Sequence, residues 1–412
     1  MKIAQVAPLF ESVPPQSYGG TERIVSYLTE ALIDLGHEVT LFASGDSMTR
    51  ARLVPIVRNS LRLDTRHPDW VPWHMVMVDQ VFRQAADFDL IHFHVDYLHA
   101  IGARLCPTPC LSTLHGRLDS PDLAAFLRHF GNQNLVSISD RQRDPLPWYK
   151  GWLATVHHGI PVDRYRFHPV PQDYFAFVGR ISPEKRVDRA IEIAIACGVP
   201  LRIAAKVDPF DQAYFDERIR HLLDHPLVEF VGEIGEAQKN DLIGNARALL
   251  FPIDWPEPFG LVMIEAFACG TPVVAYRCGS VPEVMDHGVT GLIVEDQESA
   301  IAAARSIDRI DRRACRRVFE ERFTSIIMAK RYAEVYRSLL QPAASRAASG
   351  HAAAGQRAAA MPATVPATVP MAGIELAVTD DEGLAATAAA RRPPAARPAA
   401  LPPNPAFQYG SE

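Results

Sequence analysis

Residues 248–276 read Ala248-Leu-Leu-Phe-Pro-Ile-Asp-Trp-Pro-Glu257-Pro-Phe-Gly260-Leu-Val-Met-Ile-Glu265-Ala-Phe-Ala-Cys-Gly270-Thr-Pro-Val-Val-Ala-Tyr276. The short apolar run 248–253 has the pattern of a parallel strand buried on both faces. Pro256 and Pro258 cannot continue a strand ladder, so the chain turns there. Gly260 lets backbone approach a ligand closely. A helix is predicted from about Leu261 until Gly270-Thr-Pro272 stops it, and Val273–Tyr276 is the next strand. Strand, loop, helix and strand in that order place the loop at the carboxyl edge of a sheet, where open α/β folds bind ligands.

Glu257 lies in that loop and Glu265 in the helix, eight residues later. A helix N-terminus offers open N–H groups and suits a phosphate. A carboxylate beside it repels the anion, unless it accepts hydrogen bonds from sugar or ribose hydroxyls. Either glutamate alone reads as a solvated side chain. The pair within Pro-Glu-Pro-Phe-Gly-x-x-x-x-Glu points to a ligand.

Around this stretch the bulk properties set limits. A chain of 412 residues has room for two domains. A hydrophobic content of 48% describes a globular protein, and a formal charge of -6 gives no support to a nucleic-acid surface. No run of about 18 apolar residues is present, which excludes a membrane-spanning helix. Residues 1–8 carry too short an apolar run for a signal peptide and read as a first strand. The cysteines Cys106, Cys110, Cys197, Cys269, Cys278 and Cys315 are scattered and read as free thiols of a cytoplasmic protein. Cys106-Pro-Thr-Pro-Cys110 lacks the second pair of a metal clip.

The first half opens as strand 2–7, loop 8–20, helix 21–35 and strand 38–43, with Thr21 as the expected N-cap and Gly36 closing the helix. Gly19 and Gly20 precede that helix and leave its N–H groups open to an anion. Five arginines between Arg50 and Arg66 read as a solvated face, with an anionic lipid or acceptor as the alternative. Asp87 and Asp89 precede a strand instead of following it, which argues against a metal role. His92 and His94 share one strand face and read as core histidines, with zinc ligation lacking a third ligand. Strand 110–114 carries His115 to the carboxyl edge.

The second half restarts with strand 174–178, followed by Gly179-Arg180-Ile-Ser-Pro-Glu-Lys185-Arg186. Ser182 is the expected cap and Pro183 the first helical residue. Arg180 and Lys185 then bracket a helix start as a clamp for diphosphate. Strands 201–205 and 228–232 and a helix 238–247 lead back to the central stretch. Alternating strands and helices through both halves imply parallel sheets covered on both faces.

The central stretch, together with Gly279-Ser-Val-Pro-Glu-Val and Gly288-Val-Thr-Gly-Leu-Ile-Val, resembles the Glu-x7-Glu signature of the family 4 retaining glycosyltransferases. Thr113-Leu-His-Gly and Gly179-Arg180-x4-Lys185 extend the resemblance to roughly residues 1–340. It implies a GT-B fold: an α/β protein of two Rossmann-like parallel-sheet domains facing a cleft. The expected boundaries are 1–168 for the acceptor domain, 174–322 for the donor domain and 323–340 for a helix crossing back. An Ala/Pro-rich tail over 341–412, with 24 Ala and 10 Pro, is expected to be disordered. The implied reaction moves a hexose-type sugar from a nucleotide-diphosphate donor to an acceptor hydroxyl with retention, without a metal or other cofactor. His115, Glu257, Arg180 and Lys185 are the implied catalytic set. Gly19, Gly20, Arg180, Lys185, Glu257, Phe259, Gly260, Leu261 and Glu265 are the implied donor contacts, with Glu257 on sugar hydroxyls and Glu265 on the ribose. The acceptor stays open as a saccharide, a lipid-linked or a small molecule, with at most peripheral membrane contact. Arg186 departs from the family, which often has glycine there, and Lys206 stands at another edge where glycine is common. The alternatives are a GT-B phosphorylase, a nucleotide-sugar epimerase or a nucleotide-sugar-binding pseudoenzyme.

Overall fold

Two all-parallel sheets organise the chain, in a computed structural model that describes residues 1–16, 19–62, 64 and 66–341. The first sheet holds β1 (Lys2–Val6), β2 (Glu38–Ala43), β3 (Arg52–Pro55), β4 (Leu90–Phe93), β5 (Cys110–Thr113), β6 (Leu135–Ser137) and β7 (Trp152–Thr155), in spatial order β3-β2-β1-β4-β5-β6-β7. Helices α1 (Gly20–Asp34), α2 (Val71–Arg83), α3 (Ala100–Leu105) and α4 (Pro121–His129) connect them. The second sheet holds β8 (Phe175–Ile181), β9 (Leu201–Val207), β10 (Val228–Gly232), β11 (Ala248–Phe251), β12 (Val273–Tyr276) and β13 (Gly291–Val294), in order β10-β9-β8-β11-β12-β13. Its helices are α5 (Val187–Cys197), the single turn α6 (Gln212–Tyr214), α7 (Glu236–Asn245), α8 (Leu261–Cys269), α9 (Val281–Val284), α10 (Gln297–Ser306) and α11 (Arg312–Arg322). The last helix, α12 (Ser325–Leu340), returns to pack on α1.

Strand order reverses between β1 and β4 in one sheet and between β8 and β11 in the other. Loops leaving adjacent strands in opposite directions open a crevice there. The loop after β8 carries Lys185 and the loop after β11 carries Glu257, so both flank the second switch point. One apolar core runs from Ile3 and Ile24 through Tyr332 and Tyr336 of α12 to Phe259 and Phe267. Separate cores fill the far faces of the two sheets.

Arg312 ties the connection between the sheets to the second one. Its buried guanidinium donates to His168 O at 2.7 Å, Ala246 O at 2.9 Å, Gly244 O at 2.6 Å and Thr271 Oγ1 at 2.8 Å. Glu283 makes a second tie. Its carboxylate accepts from the Asp140 N–H at 2.9 Å and pairs with His157 Nε2 at 2.7 Å.

Several expectations need correction. Helix α5 starts at Val187, not at Pro183, because the Ser182 carbonyl accepts from both Lys185 N–H and Arg186 N–H and closes a turn first. Arg186 sits there at φ 53, the left-handed region that a glycine would favour, and its guanidinium pairs with Asp188 and Asp254. Strand β8 continues through Arg180 to Ile181. Gly19, not Thr21, is the residue before α1, and α7 begins at Glu236, not Gln238. The arginines of 50–66 lie on β3 and turns. Arg50 pairs with Glu30 and Asp34, Arg62 with Glu11, and Arg66 with Asp64. Asp89 accepts from Lys2 N–H at the amino end of β4, away from the crevice. All six cysteines are free. The expected disorder of the tail falls on residues 342–412, outside the described residues.

Arg312→Lys is expected to lower unfolding free energy by about 3 kcal/mol or more in urea titrations. An ammonium cannot satisfy four acceptors held in a fixed fork, and each buried unpaired group costs roughly 1–3 kcal/mol. A loss below about 1 kcal/mol would show that the guanidinium is dispensable.

Candidate functional site

The crevice is a cleft lined by residues of both lobes. Seven of the ten residues singled out from sequence line it: Gly19, Gly20, Arg180, Lys185, Gly260, Leu261 and Glu265. Glu257, Phe259 and His115 are not in its wall but lie behind it, linked to it through contacts described below.

Three helices begin at the cleft. Gly19 and Gly20 open α1 from the first lobe, Glu236 opens α7, and Gly260 and Leu261 open α8. Gly260 has φ 79, so its lack of a Cβ allows the turn that points the first N–H groups of α8 inward. Converging helix N-termini concentrate positive potential. The lining side chains add to it, with Arg23, Arg180, Lys185, Lys206 and Lys239 set against Glu233, Glu236 and Glu265.

The two glutamates are held differently. Glu257 is fully buried, and its Oε2 accepts from Lys185 Nζ at 2.5 Å. Burial pushes its pKa above the ordinary carboxylate value, and Lys185 opposes that rise. Glu257 Oε1 and Trp255 Nε1 are both buried without a well-aligned hydrogen bond, although the indole lies beside the carboxylate. The Lys185 ammonium also sits 5.1 Å from the Trp255 ring centroid, within cation–π range. Glu265 accepts at Oε1 from Lys239 Nζ and from Tyr165 O–H, the latter at 2.9 Å.

Arg180 reaches the cleft from the end of β8. Its Nε lies 3.2 Å from Asp211 Oδ2 but is misaligned for a hydrogen bond, and Glu184 lies 3.9 Å from its Nη2. Lys206 is 3.9 Å from Asp208. Tyr27 O–H donates to Glu236 Oε1 at 2.5 Å, and Arg164 and Arg23 pair with Glu236 Oε2 at 3.0 and 3.4 Å. These contacts bind the first lobe to the start of α7.

His115 follows β5. Its ring stacks on His158 with centroids 5.3 Å apart, and His158 meets Phe259 edge-on at 4.9 Å. Burial lowers the His115 pKa to about 3, so the ring is neutral. Among the described residues, no three His, Cys, Asp or Glu side chains gather where they would hold a metal ion, and no helix is long and apolar enough to cross a membrane.

Comparison with known proteins places this geometry. The family model described as Glycosyltransferase Family 4 matches residues 18–164, and the one described as Glycosyl transferases group 1 matches residues 164–317. The two matches meet at the connection between the sheets. The chain belongs to glycosyltransferase family 4. A D-inositol 3-phosphate glycosyltransferase of Streptomyces avermitilis is 27% identical over 349 residues, which are 69% of this chain and 74% of the relative. The crystal structure of AviGT4, a glycosyltransferase involved in avilamycin A biosynthesis, is 28% identical with a TM-score of 0.65, covering 82% of this chain and 98% of that one. HepE of Anabaena in complex with UDP-glucose shares the fold at 20% identity and a TM-score of 0.63, covering 82% and 100%. This glycosyltransferase therefore has the GT-B fold.

Sequence reasoning missed Arg23, Tyr165, Glu236 and Lys239. Arg23 is three residues past Gly20 and Lys239 three past Glu236, one helical turn inside each N-terminus. That spacing was a usable signal once the helix starts were placed. Tyr165 carried none.

Glu257→Met and Lys185→Met are each expected to destabilise this glycosyltransferase by roughly 3–5 kcal/mol, since each removes one partner of a buried ion pair. The double variant Glu257→Met/Lys185→Met is expected to lose far less than the sum. Additive losses in urea unfolding would show that the two side chains do not act as a pair.

Proposed function

We propose that this glycosyltransferase moves a hexose-type sugar from a nucleotide-diphosphate donor to an acceptor hydroxyl, with retention at the anomeric carbon and without a metal ion. The observation that carries the reading is the cleft itself, where three helix N-termini and five cationic side chains face one space beside two held glutamates. That is the electrostatic complement of a diphosphate next to hydroxyl-bearing rings.

In this reading Arg180 and Lys185 take the diphosphate, with the first amides of α1 and α8 at its oxygens. Glu265, steadied by Lys239 and Tyr165, accepts from the ribose hydroxyls. Glu257 Oε1 and Trp255 Nε1, side by side without a well-aligned hydrogen bond, suit a sugar hydroxyl that donates to one and accepts from the other. Phe259, Gly260 and Leu261 border the sugar, and His115 lies toward its reacting face. The acceptor oxygen attacks C1 on the face the diphosphate leaves. The C1–O bond breaks, its electrons stay on the diphosphate, and the acceptor proton passes to a departing phosphate oxygen. Arg180 and Lys185 stabilise that developing charge. UDP-glucose in HepE, which has the same fold, supports a nucleotide-sugar donor. The acceptor is a saccharide, a lipid-linked or a small molecule, and the free thiols suit the cytoplasm.

Calorimetry with UDP, GDP, ADP and dTDP in EDTA tests this. Tight binding of one nucleotide is expected, reduced at least about 10-fold in Lys185→Ala, the equivalent of about 1.4 kcal/mol. Absence of binding by all four, or equal binding to the variant, would overturn the donor site.

A further inference from the structure

A continuous hydrogen-bonded chain joins His115 to the last helix. His115 Nε2 is 2.9 Å from His94 Nδ1, and His94 Nε2 is 2.8 Å from Gln5 Oε1. Gln5 Nε2 donates to Tyr336 Oη at 3.2 Å, and that hydroxyl is 2.8 Å from His92 Nδ1. His92 Nε2 lies 2.8 Å from Thr113 Oγ1, which lies 2.8 Å from the Tyr332 hydroxyl. Gln5, His92, His94, Thr113, Tyr332 and Tyr336 are all buried. The chain joins β1, β4 and β5 to α12, and Gln5 and Tyr336 are 331 residues apart.

The orientation of the Gln5 amide sets every proton position along the chain. With its carbonyl toward His94, Gln5 accepts only, so His94 carries its proton on Nε2. His94 and His115 are neutral, because burial holds both well below the ordinary histidine value. His94 Nδ1 is therefore bare and accepts from His115 Nε2–H. That leaves His115 Nδ1 bare as well, and it is buried without a hydrogen bond. On the other side Gln5 donates to Tyr336, Tyr336 to His92, and His92 to Thr113, so every donor in that direction has an acceptor. Turning the Gln5 amide would reverse the order at each link and make His115 Nδ1 a donor.

We propose that Gln5 and Tyr336 are positioning residues that hold His115 in the tautomer with a bare Nδ1, so that the ring takes a hydrogen bond from a substrate hydroxyl. The inference rests on the reading of His115 as a neighbour of the reacting sugar. Tyr336 acts by accepting from the Gln5 amide nitrogen and donating to His92 Nδ1, the order that spares a buried His115 Nδ1–H without an acceptor. The helix that closes the fold thereby decides which hydrogen-bonding face His115 presents.

Long-range 1H–15N spectra of histidine-labelled full-length protein read the tautomer without substrate, with His115→Ala for assignment. Wild type is expected to show His115 protonated at Nε2 alone. Gln5→Leu and Tyr336→Phe are expected to show mixed tautomers. Their kcat for UDP release from UDP-glucose should fall about 10-fold, with donor KM changed less than about twofold. Tyr336→Phe removes one oxygen from a packed ring and keeps the test sound if Gln5→Leu folds poorly. An unchanged His115 spectrum in the variants would overturn the proposal, as would a changed tautomer with full kcat. Wild type that releases no UDP would instead count against the proposed donor, leaving the spectra to decide the relay.

Discussion

A carboxylate with no exposed surface stays ionised only when a cation matches it, and that constraint shapes the centre of this protein. Glu257 and Lys185 meet at 2.5 Å across the switch point of the second sheet. They pin the loop after β11 to the loop after β8, which would otherwise diverge. The loop after β12 closes on the same place. Ser280 N–H donates to the Glu257 carbonyl at 2.9 Å, and a Cβ at Gly279 would come within 2.3 Å of Glu257 N. Three loops are thus locked around one ion pair. Such a pair costs desolvation and stabilises little in net terms. Its consequence here is a fixed position for the Lys185 ammonium and for the second carboxylate oxygen.

The first lobe is brought to this centre by bonds of long sequence separation. Tyr27 and Arg23 of α1 reach Glu236, and Glu283 of α9 reaches back to Asp140 and His157. Helix α12 completes the union, since its apolar face joins the cores of both lobes while its tyrosines enter the buried chain that ends at His115. The same helix therefore serves packing and site geometry.

Elements with a strong local period were legible in the sequence. The strand, loop and helix around Glu257 and Glu265 follow from an apolar run, two prolines and two glycines, all local signals. The alternation of strands and helices gave the parallel sheets. The start of α5 was misread because Ser182-Pro183 is a good local cap, and the turn closed by the Ser182 carbonyl took its place. The Arg186 departure became intelligible only once its left-handed φ and its Asp254 partner were seen. Helices α2, α3 and α4 carry no motif and went unassigned. Arg23, Lys239 and the Gln5–Tyr336 bond depend on tertiary contact, for which single-sequence periodicity holds no information. The histidines His92 and His94 were rightly placed in the core, but their link to His115 was not visible.

The central claim is that the cleft formed by the starts of α1, α7 and α8 is where a nucleoside diphosphate sits. Amide hydrogen exchange of the full-length protein, with and without saturating UDP, tests it most directly. The account predicts slower exchange at Gly19–Arg23, Glu236–Lys239 and Gly260–Met263, with β3 and α2 unchanged. Protection confined to other segments, or no protection at these three starts while UDP is bound, would contradict it.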